Sequence, residues 1–234
     1  MKSDRGMDMT NGSADASTGN MKSADVRTVR YYSENARDVA QRYEGAEFDE
    51  SRFAVLKRFI FAPGAGISPV LLDVGCGSGR DLSCWQKAGC DCYGVDACPD
   101  MVLQAQALHP ELVGRITCDA LPTLPRTPSG AFDVVLCSAV LMHLDKAAIA
   151  ESARTFKRLL RPSGRLVISI PLRGPEVDSE QRSRKDGRLF TDITAAELEA
   201  CLVPCGFVCH GRYDSGDSLG RDERSWTTLL YSLS

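Results

Sequence analysis

One stretch constrains this chain more than any other: an apolar run that takes in a carboxylate and breaks into three alternating glycines. It reads Leu71-Leu72-Asp73-Val74-Gly75-Cys76-Gly77-Ser78-Gly79-Arg80-Asp81. A buried strand followed at once by Gly-x-Gly-x-Gly and a helix is a turn that lets a ligand approach the backbone with no Cβ in the way. Such a turn belongs in an open α/β sheet, where ligands sit in the crevice beyond the strand ends. The same turn leaves unpaired N–H groups at the start of the helix.

The rest of the chain keeps that rhythm. The predicted strands are Val70 to Val74, Asp91 to Val95, Val113 to Cys118, Phe132 to Cys137 and Arg165 to Ile170, and Phe207 to Tyr213 and Trp226 to Tyr231 follow. Helices fall between the first five: about Gly79 to Ala88, one introduced by Pro99, and one capped by Asp145. Thr194 and Glu197 form a capping box for a further helix. Alternation of this kind makes a mostly parallel sheet with helices on both faces. No helix separates the last two strands, so they pair antiparallel through the polar loop Asp214 to Arg224. Upstream, Ser33 is expected to cap a helix reaching Tyr43 or Glu44, and Asp49 opens another that presents Phe53, Leu56, Phe59 and Ile60. The domain reading is a disordered tail over 1–24, a helical lid over 25–66 and one folded domain over 67–234.

The 234 residues carry 28 Lys and Arg against 31 Asp and Glu, a net charge of −3. That balance gives no general footprint for nucleic acid. The first twenty residues hold no apolar core of a signal peptide, and no apolar run reaches membrane-spanning length. Met21-Lys22-Ser23-Ala24-Asp25 nearly repeats Met1-Lys2-Ser3-Asp4, so either Met21 is the natural start or the first residues are an ordinary frayed tail. Ten cysteines, several inside apolar runs, are expected to be reduced in a cytoplasmic protein. Cys201, Cys205 and Cys209 lack the spacing and histidine support of a zinc site, so no metal is expected.

Three acids end three successive strands: Asp73, Asp96 and Asp119. Asp73 repels a pyrophosphate and attracts a cationic or amine-bearing group. Asp96 stands 21 residues beyond Gly75, where an acid grips a ribose diol. Asp119 is placed to meet an adenine amino group. The three fit an adenosine with a positively charged tail better than they fit NAD.

With these motifs in order, the chain resembles the class I S-adenosylmethionine-dependent methyltransferases, in their small-molecule branch with the methyltransferase domain 11/25 pattern. The resemblance runs from Tyr31 to Tyr231. It implies a Rossmann-like, seven-stranded, mostly parallel sheet of order 3-2-1-4-5-7-6 with strand 7 antiparallel. It also implies a cofactor site built from Asp73, Gly75, Cys76, Gly77, Gly79, Arg80, Asp96, Ala97, Met101, Asp119, Ala120, Cys137 and Ser138. Phe132 to Leu144 matches the fourth strand and the loop over the sulfonium, and Leu159 to Leu166 the entry to strand five.

Methyl transfer needs alignment more than machinery, and a base only when the acceptor must lose a proton. His143 is the candidate base, or it shapes its loop; His109 and His210 read as structural or surface residues. Tyr32 and Tyr43 are candidates for an aromatic lid, Tyr32 the better one because it precedes the expected cap at Ser33. After strand four there is no Asn/Asp-Pro-Pro-aromatic motif, which lowers a nucleic-acid acceptor. The basic cluster Gln181 to Arg188 reads as a solvated loop in preference to a clamp for an anionic acceptor. The leading function is methylation of a small or medium-sized metabolite, releasing S-adenosylhomocysteine. The alternatives are an NAD-dependent oxidoreductase, a non-catalytic methyltransferase-like partner, and a transfer-RNA methyltransferase.

Overall fold

The computed structural model describes residues 24–47, 49–61, 68–172, 177–178, 180–183, 185–220 and 225–234. The expectations for residues 1–23 lie outside them. Seven strands form one sheet: β1 Val70–Val74, β2 Asp91–Asp96, β3 Ile116–Cys118, β4 Phe132–Ser138, β5 Leu160–Pro171, β6 Phe207–Gly216 and β7 Ser225–Leu233. Their spatial order is β3-β2-β1-β4-β5-β7-β6, as the resemblance implies. β1 pairs in parallel with β2 and β4, while β7 lies antiparallel to both β5 and β6. The chain reverses its direction of winding at β1, so a crevice opens at the carboxyl ends of β1 and β4.

The helices are α1 Val26–Glu34, α2 Ala36–Glu44, α3 Glu50–Ile60, α4 Arg80–Lys87, α5 Pro99–Leu108, α6 Lys146–Leu159 and α7 Ala195–Leu202. Two apolar layers cover the sheet. One gathers Phe132, Phe156, Leu159, Leu202 and Tyr231 beneath α6 and α7. The other gathers Leu56, Ile60, Leu82, Trp85 and Leu112 beneath α3, α4 and α5. Each such side chain removed from water contributes about 1.5–3 kcal/mol. The anticipated caps form: Asp49 accepts the Arg52 N–H, Asp145 the Ala148 N–H, and Thr194 with Glu197 closes a capping box.

The lid departs from the sequence reading. Asp25, not Ser33, caps the first helix, accepting the Thr28 N–H at 2.8 Å. Ser33 and Tyr32 lie inside α1, and the Ser33 hydroxyl donates to Asp100 on α5. The break comes at Asn35, whose Nδ2 donates back to the Tyr31 carbonyl at 2.8 Å. α2 then turns Ala36, Val39 and Ala40 onto Cys98 and Met101. Two strands also begin elsewhere than expected. β3 starts at Ile116, because a 3-10 turn over Pro110–Leu112 and the left-handed Gly114 (φ 77°) precede it. β5 starts at Leu160, directly from α6, and its register against β4 shifts between Phe132 and Val134.

Candidate active site

The glycine turn builds the floor of the crevice. Gly75 has φ 76°, and a Cβ on it would lie 2.3 Å from Val140 Cγ2. The backbone can pass beneath the loop after β4 only because no side chain is there. Gly79 caps α4 in a left-handed conformation (φ 83°) and packs against His109, Leu112 and Ala105.

Two lobes meet over this floor. The narrow lobe, about 170 Å³, is lined by Asp96, Ala97, Met101, Asp119 and Ala120 opposite Thr28 and Val29 of α1. The wide lobe, about 760 Å³, is lined by Asp73, Cys76, Arg80, Arg52, Met142 and Trp226 among others. Tyr32, Tyr43, Gly75, Gly77 and Ser138 face both. The structure thus gathers nearly every residue expected at the site. Two depart from it: Gly79 and Cys137 line neither lobe. Gly79 is the hinge of the turn. The side chain of Cys137 is fully buried in the layer under α6, and that burial pushes its thiol up.

The three acids share one crevice but do different work. Asp96 accepts the Gly77 N–H at 3.0 Å and the Cys98 N–H at 2.9 Å. It thereby ties the glycine loop to the start of α5. A carboxylate has about four lone-pair sites, so two remain for a diol. Asp119 is more committed: it accepts from the N–H groups of Ala120 and Arg126 and from the Thr127 hydroxyl at 2.7 Å. It shapes its own loop and, by the same count, keeps a single free position. Asp73 is buried at the end of β1, and burial, with Asp81 and Asp96 nearby, pushes it up to about 8.

Arg52 is a residue that the sequence reading missed. From α3 it reaches the crevice, with Nη2 3.4 Å from Ser138 Oγ, Nε 3.3 Å from Thr228 Oγ1 and Nη1 4.0 Å from Asp81. Its charge draws Asp73 down against the larger effect of burial. A cation and a buried carboxylate on one wall suit the carboxylate and ammonium of an amino acid. With the diol acceptor at Asp96, this donor set fits an adenosine joined to an amino-acid tail. The available signal was that Arg52 stands four residues before Leu56, on the apolar stripe of α3.

The lid is fastened by side chains. Arg80 Nη1 donates to the Tyr43 carbonyl at 2.9 Å, and its Nε and Nη2 bond Asp81. Arg80 is therefore a lid anchor as well as a lining residue. Glu44, ending α2, accepts from Ser78 Oγ at 2.7 Å and stands 3.2 Å from His109 Nε2. His210, in contrast, is exposed and bonds Ser232. Within the cluster Gln181 to Arg188, Gln181 and Lys185 are exposed as expected, but Arg182 and Arg188 are not solvated. Arg182 forms a two-point ion pair with Asp25, both contacts 2.8 Å, and the side chains of Arg182 and Arg188 are only 17% and 13% exposed. Arg188 pairs with Asp186, lies 4.5 Å over the Tyr31 ring and donates to the Tyr32 hydroxyl at 2.8 Å.

His143 stands behind this lid. Its Nδ1 lies 2.7 Å from the Leu189 carbonyl and its Nε2 3.2 Å from the Tyr32 hydroxyl. Burial holds its imidazole down at about 4. Both ring nitrogens are engaged. Among the described residues, no group of three or more His, Cys, Asp or Glu is arranged to hold a metal ion.

The comparisons with known proteins agree with this geometry. The family pattern "Methyltransferase domain" matches residues 72–168. A curated relative, the ubiquinone biosynthesis O-methyltransferase of Psychrobacter arcticus, is 35% identical over 154 residues, covering 59% of this chain and 58% of that protein. The counterpart from Acinetobacter baylyi is 31% identical, covering 66% and 60%. The chain thus spans less than two thirds of the length of these relatives. Among solved structures, magnesium protoporphyrin IX methyltransferase of Synechocystis with bound S-adenosylhomocysteine superposes with a TM-score of 0.67 at 20% identity, over 90% of this chain and 100% of that one. The [4+2]-cyclase SpnF superposes with 0.63 at 16% identity, over 90% and 98%, so the fold by itself does not fix the reaction. Together, the domain matched over residues 72–168, the ordered motifs and the crevice they build make this chain similar to the class I S-adenosylmethionine-dependent methyltransferases.

Proposed function

We propose that the protein transfers a methyl group from S-adenosylmethionine to a small or medium-sized molecule, releasing S-adenosylhomocysteine. The observation that carries this reading is the charge arrangement of the crevice: Asp73 and Arg52 on one wall, with Asp96 beyond the glycine turn. The cofactor supplies a sulfonium-bound methyl group that is open to in-line attack. Asp73 and Arg52 hold its amino-acid end, Asp96 its ribose, and Met101 and Ala120 flank its base. What remains of the wide lobe, toward Met142, Phe190 and Trp226, receives the acceptor. Tyr32 and Tyr43 close over both lobes and limit water at the point of transfer. Acceleration then rests on alignment in a pre-shaped site.

The small-molecule reading is supported by the relatives, named as ubiquinone biosynthesis O-methyltransferases, and by a crevice closed by helices instead of an open basic surface. No helix of the described residues is long and apolar enough to cross a membrane. Five of the ten cysteines are buried among apolar side chains, where reduced thiols pack as small hydrophobes, and a cytoplasmic setting is the reading they favour. Calorimetric titration with S-adenosylhomocysteine and, separately, NAD tests the assignment. Micromolar binding of the first and none of the second is expected, and the reverse order overturns it. Retention of bulk RNA on a filter at physiological salt would favour a transfer-RNA acceptor.

A further inference from the structure

Among the described residues, three guanidiniums line the wide lobe: Arg52, Arg80 and Arg188. Two have work elsewhere. Arg80 bonds the Tyr43 carbonyl and Asp81, and Arg52 stands beside Asp73 at the cofactor's amino-acid end. Arg188 lies in the segment after β5 that also carries Phe190, and the Thr191 N–H joins that segment to the Met142 carbonyl at 2.8 Å. This is the part of the lobe left to the acceptor. A guanidinium has five N–H hydrogens. In Arg188, Nε and Nη2 each give one to Asp186, at 3.1 and 2.8 Å, and Nη1 gives one to the Tyr32 hydroxyl at 2.8 Å. One hydrogen on each terminal nitrogen therefore has no partner among the described residues. The Tyr32 hydroxyl is used up, because Arg188, His143 and the Tyr43 side chain all bond it, and one hydrogen with two lone pairs serves three partners.

We infer that Arg188 is a specificity-determining residue and that the acceptor carries a carboxylate, held by these two hydrogens as a handle apart from the atom that receives the methyl group. This rests on the methyl-transfer reading, which places the acceptor in the wide lobe. A planar carboxylate takes one hydrogen from each terminal nitrogen of a guanidinium at once. Asp186 lines neither lobe, so the ion pair turns its positive end to the cavity. The rings of Tyr31 and Tyr32, 4.5 and 5.3 Å from the guanidinium carbon, hold its plane in place. The acid on the same side, Asp217, is engaged by the Trp226 Nε1–H at 2.8 Å and the Leu219 N–H at 3.2 Å. Glu47 and Glu50 stand exposed at the rim, where water and salt screen them. A phosphate dianion matches the hydrogens but brings a second charge that a cation already paired with Asp186 leaves uncompensated.

Titration of the S-adenosylhomocysteine-saturated protein with benzoate and with its neutral isostere benzamide tests this. Nitrogen-15 spectra of arginine-labelled protein follow the binding, and Arg188→Lys assigns the signal. Benzoate should shift the Arg188 resonance and bind about tenfold or more tightly than benzamide, the range of a charged hydrogen bond. Arg188→Lys should erase that preference and leave benzamide unchanged. That variant also disturbs the packing on Tyr31, so Asp186→Asn supplies a second reading. It keeps the guanidinium, removes its counter-charge and should tighten benzoate further. Equal affinity for benzoate and benzamide, binding of neither, an Arg188 signal that benzoate does not move, or no tightening in Asp186→Asn overturns the inference. Phenyl phosphate binding more tightly than benzoate overturns the choice of a carboxylate. Failure of S-adenosylhomocysteine to bind removes the methyl-transfer reading instead, and the benzoate preference of the ligand-free protein still reports on Arg188.

Discussion

Asp96 holds Gly77 in place: its Oδ2 accepts the glycine N–H at 3.0 Å, while Oδ1 takes the Cys98 N–H at 2.9 Å. One carboxylate thus joins the turn after β1 to the helix after β2, and keeps lone pairs for a ribose. Removing it is expected to do two kinds of damage. Asp96→Ala should raise the S-adenosylhomocysteine dissociation constant roughly 10- to 150-fold, the range for lost charged hydrogen bonds of about 1.5–3 kcal/mol. It should also lower the melting temperature without ligand. Calorimetry and thermal unfolding measure the two effects separately, and an unchanged dissociation constant would remove Asp96 from the binding site.

Asp73 makes the protein sensitive to pH. Burial pushes it up to about 8 from an ordinary carboxylate value of 3.8, so between these limits the folded state holds the extra proton. Stability is therefore greatest below about pH 4 for this group and falls as pH rises toward 8, by at most about 1.4 kcal/mol per unit. Asp73→Asn should flatten that slope, so that without ligand the variant is more stable than the wild type at pH 8. Urea unfolding at pH 6 and pH 8 checks this. The same linkage predicts that S-adenosylhomocysteine, whose ammonium needs the ionised carboxylate, binds wild type more tightly at pH 8 than at pH 6.

Arg182 and Asp25 pin α1 over the narrow lobe. Arg182→Met keeps bulk and deletes the ion pair, while leaving Asp25 as the cap of α1. The expectation is a 5- to 50-fold faster release of S-adenosylhomocysteine, corresponding to about 1–2.3 kcal/mol for a largely buried pair, with a lowered melting temperature because Asp25 is left largely buried without its partner. Stopped-flow displacement reads the rate. An unaltered rate would mean that α1 does not gate the cofactor.

Gly75 is held by two constraints at once, a φ of 76° and the Val140 methyl 2.3 Å from where its Cβ would be. Gly75→Ala should cost about 2–4 kcal/mol, from backbone strain plus overpacking. Adding Val140→Ala should recover only the overpacking part, because the backbone strain persists. Denaturant unfolding of the single and double variants separates these contributions, and full recovery in the double variant would show that strain adds nothing.

Arg52 reaches the wall beside Asp73 of β1 from the helix α3. Arg52→Met should weaken S-adenosylhomocysteine about 10- to 150-fold by removing the partner of its carboxylate, worth about 1.5–3 kcal/mol. It should affect adenosine itself much less. Equal losses for the two ligands would place Arg52 elsewhere in the recognition.

Local chemistry decided the frame of this molecule. The strand-glycine-helix turn, the acids Asp73, Asp96 and Asp119 at or next to the ends of three strands, and the caps at Asp49, Asp145 and Thr194 depend on near neighbours, and each stands where the residues predict it. The helix-free final pair required an antiparallel end to the sheet, and β7 lies so. Partners distant in sequence settled the rest. Nothing near Arg182 reveals Asp25, 157 residues away, so one arginine of a cluster that reads as solvated charge became a largely buried fastening. Ser33 has the chemistry of a helix cap, yet Asp25 captures that role and Ser33 turns to Asp100. His143 has a base's chemistry by type, but two contacts from other segments engage both its nitrogens. By itself the sequence determined the sheet, the glycine floor and the acids, because periodicity, turns and caps are short-range. Tertiary structure alone decided how α1 and α2 are fastened over the crevice and which partners engage His143 and Tyr32, because burial and charge pairing arise only when remote segments meet.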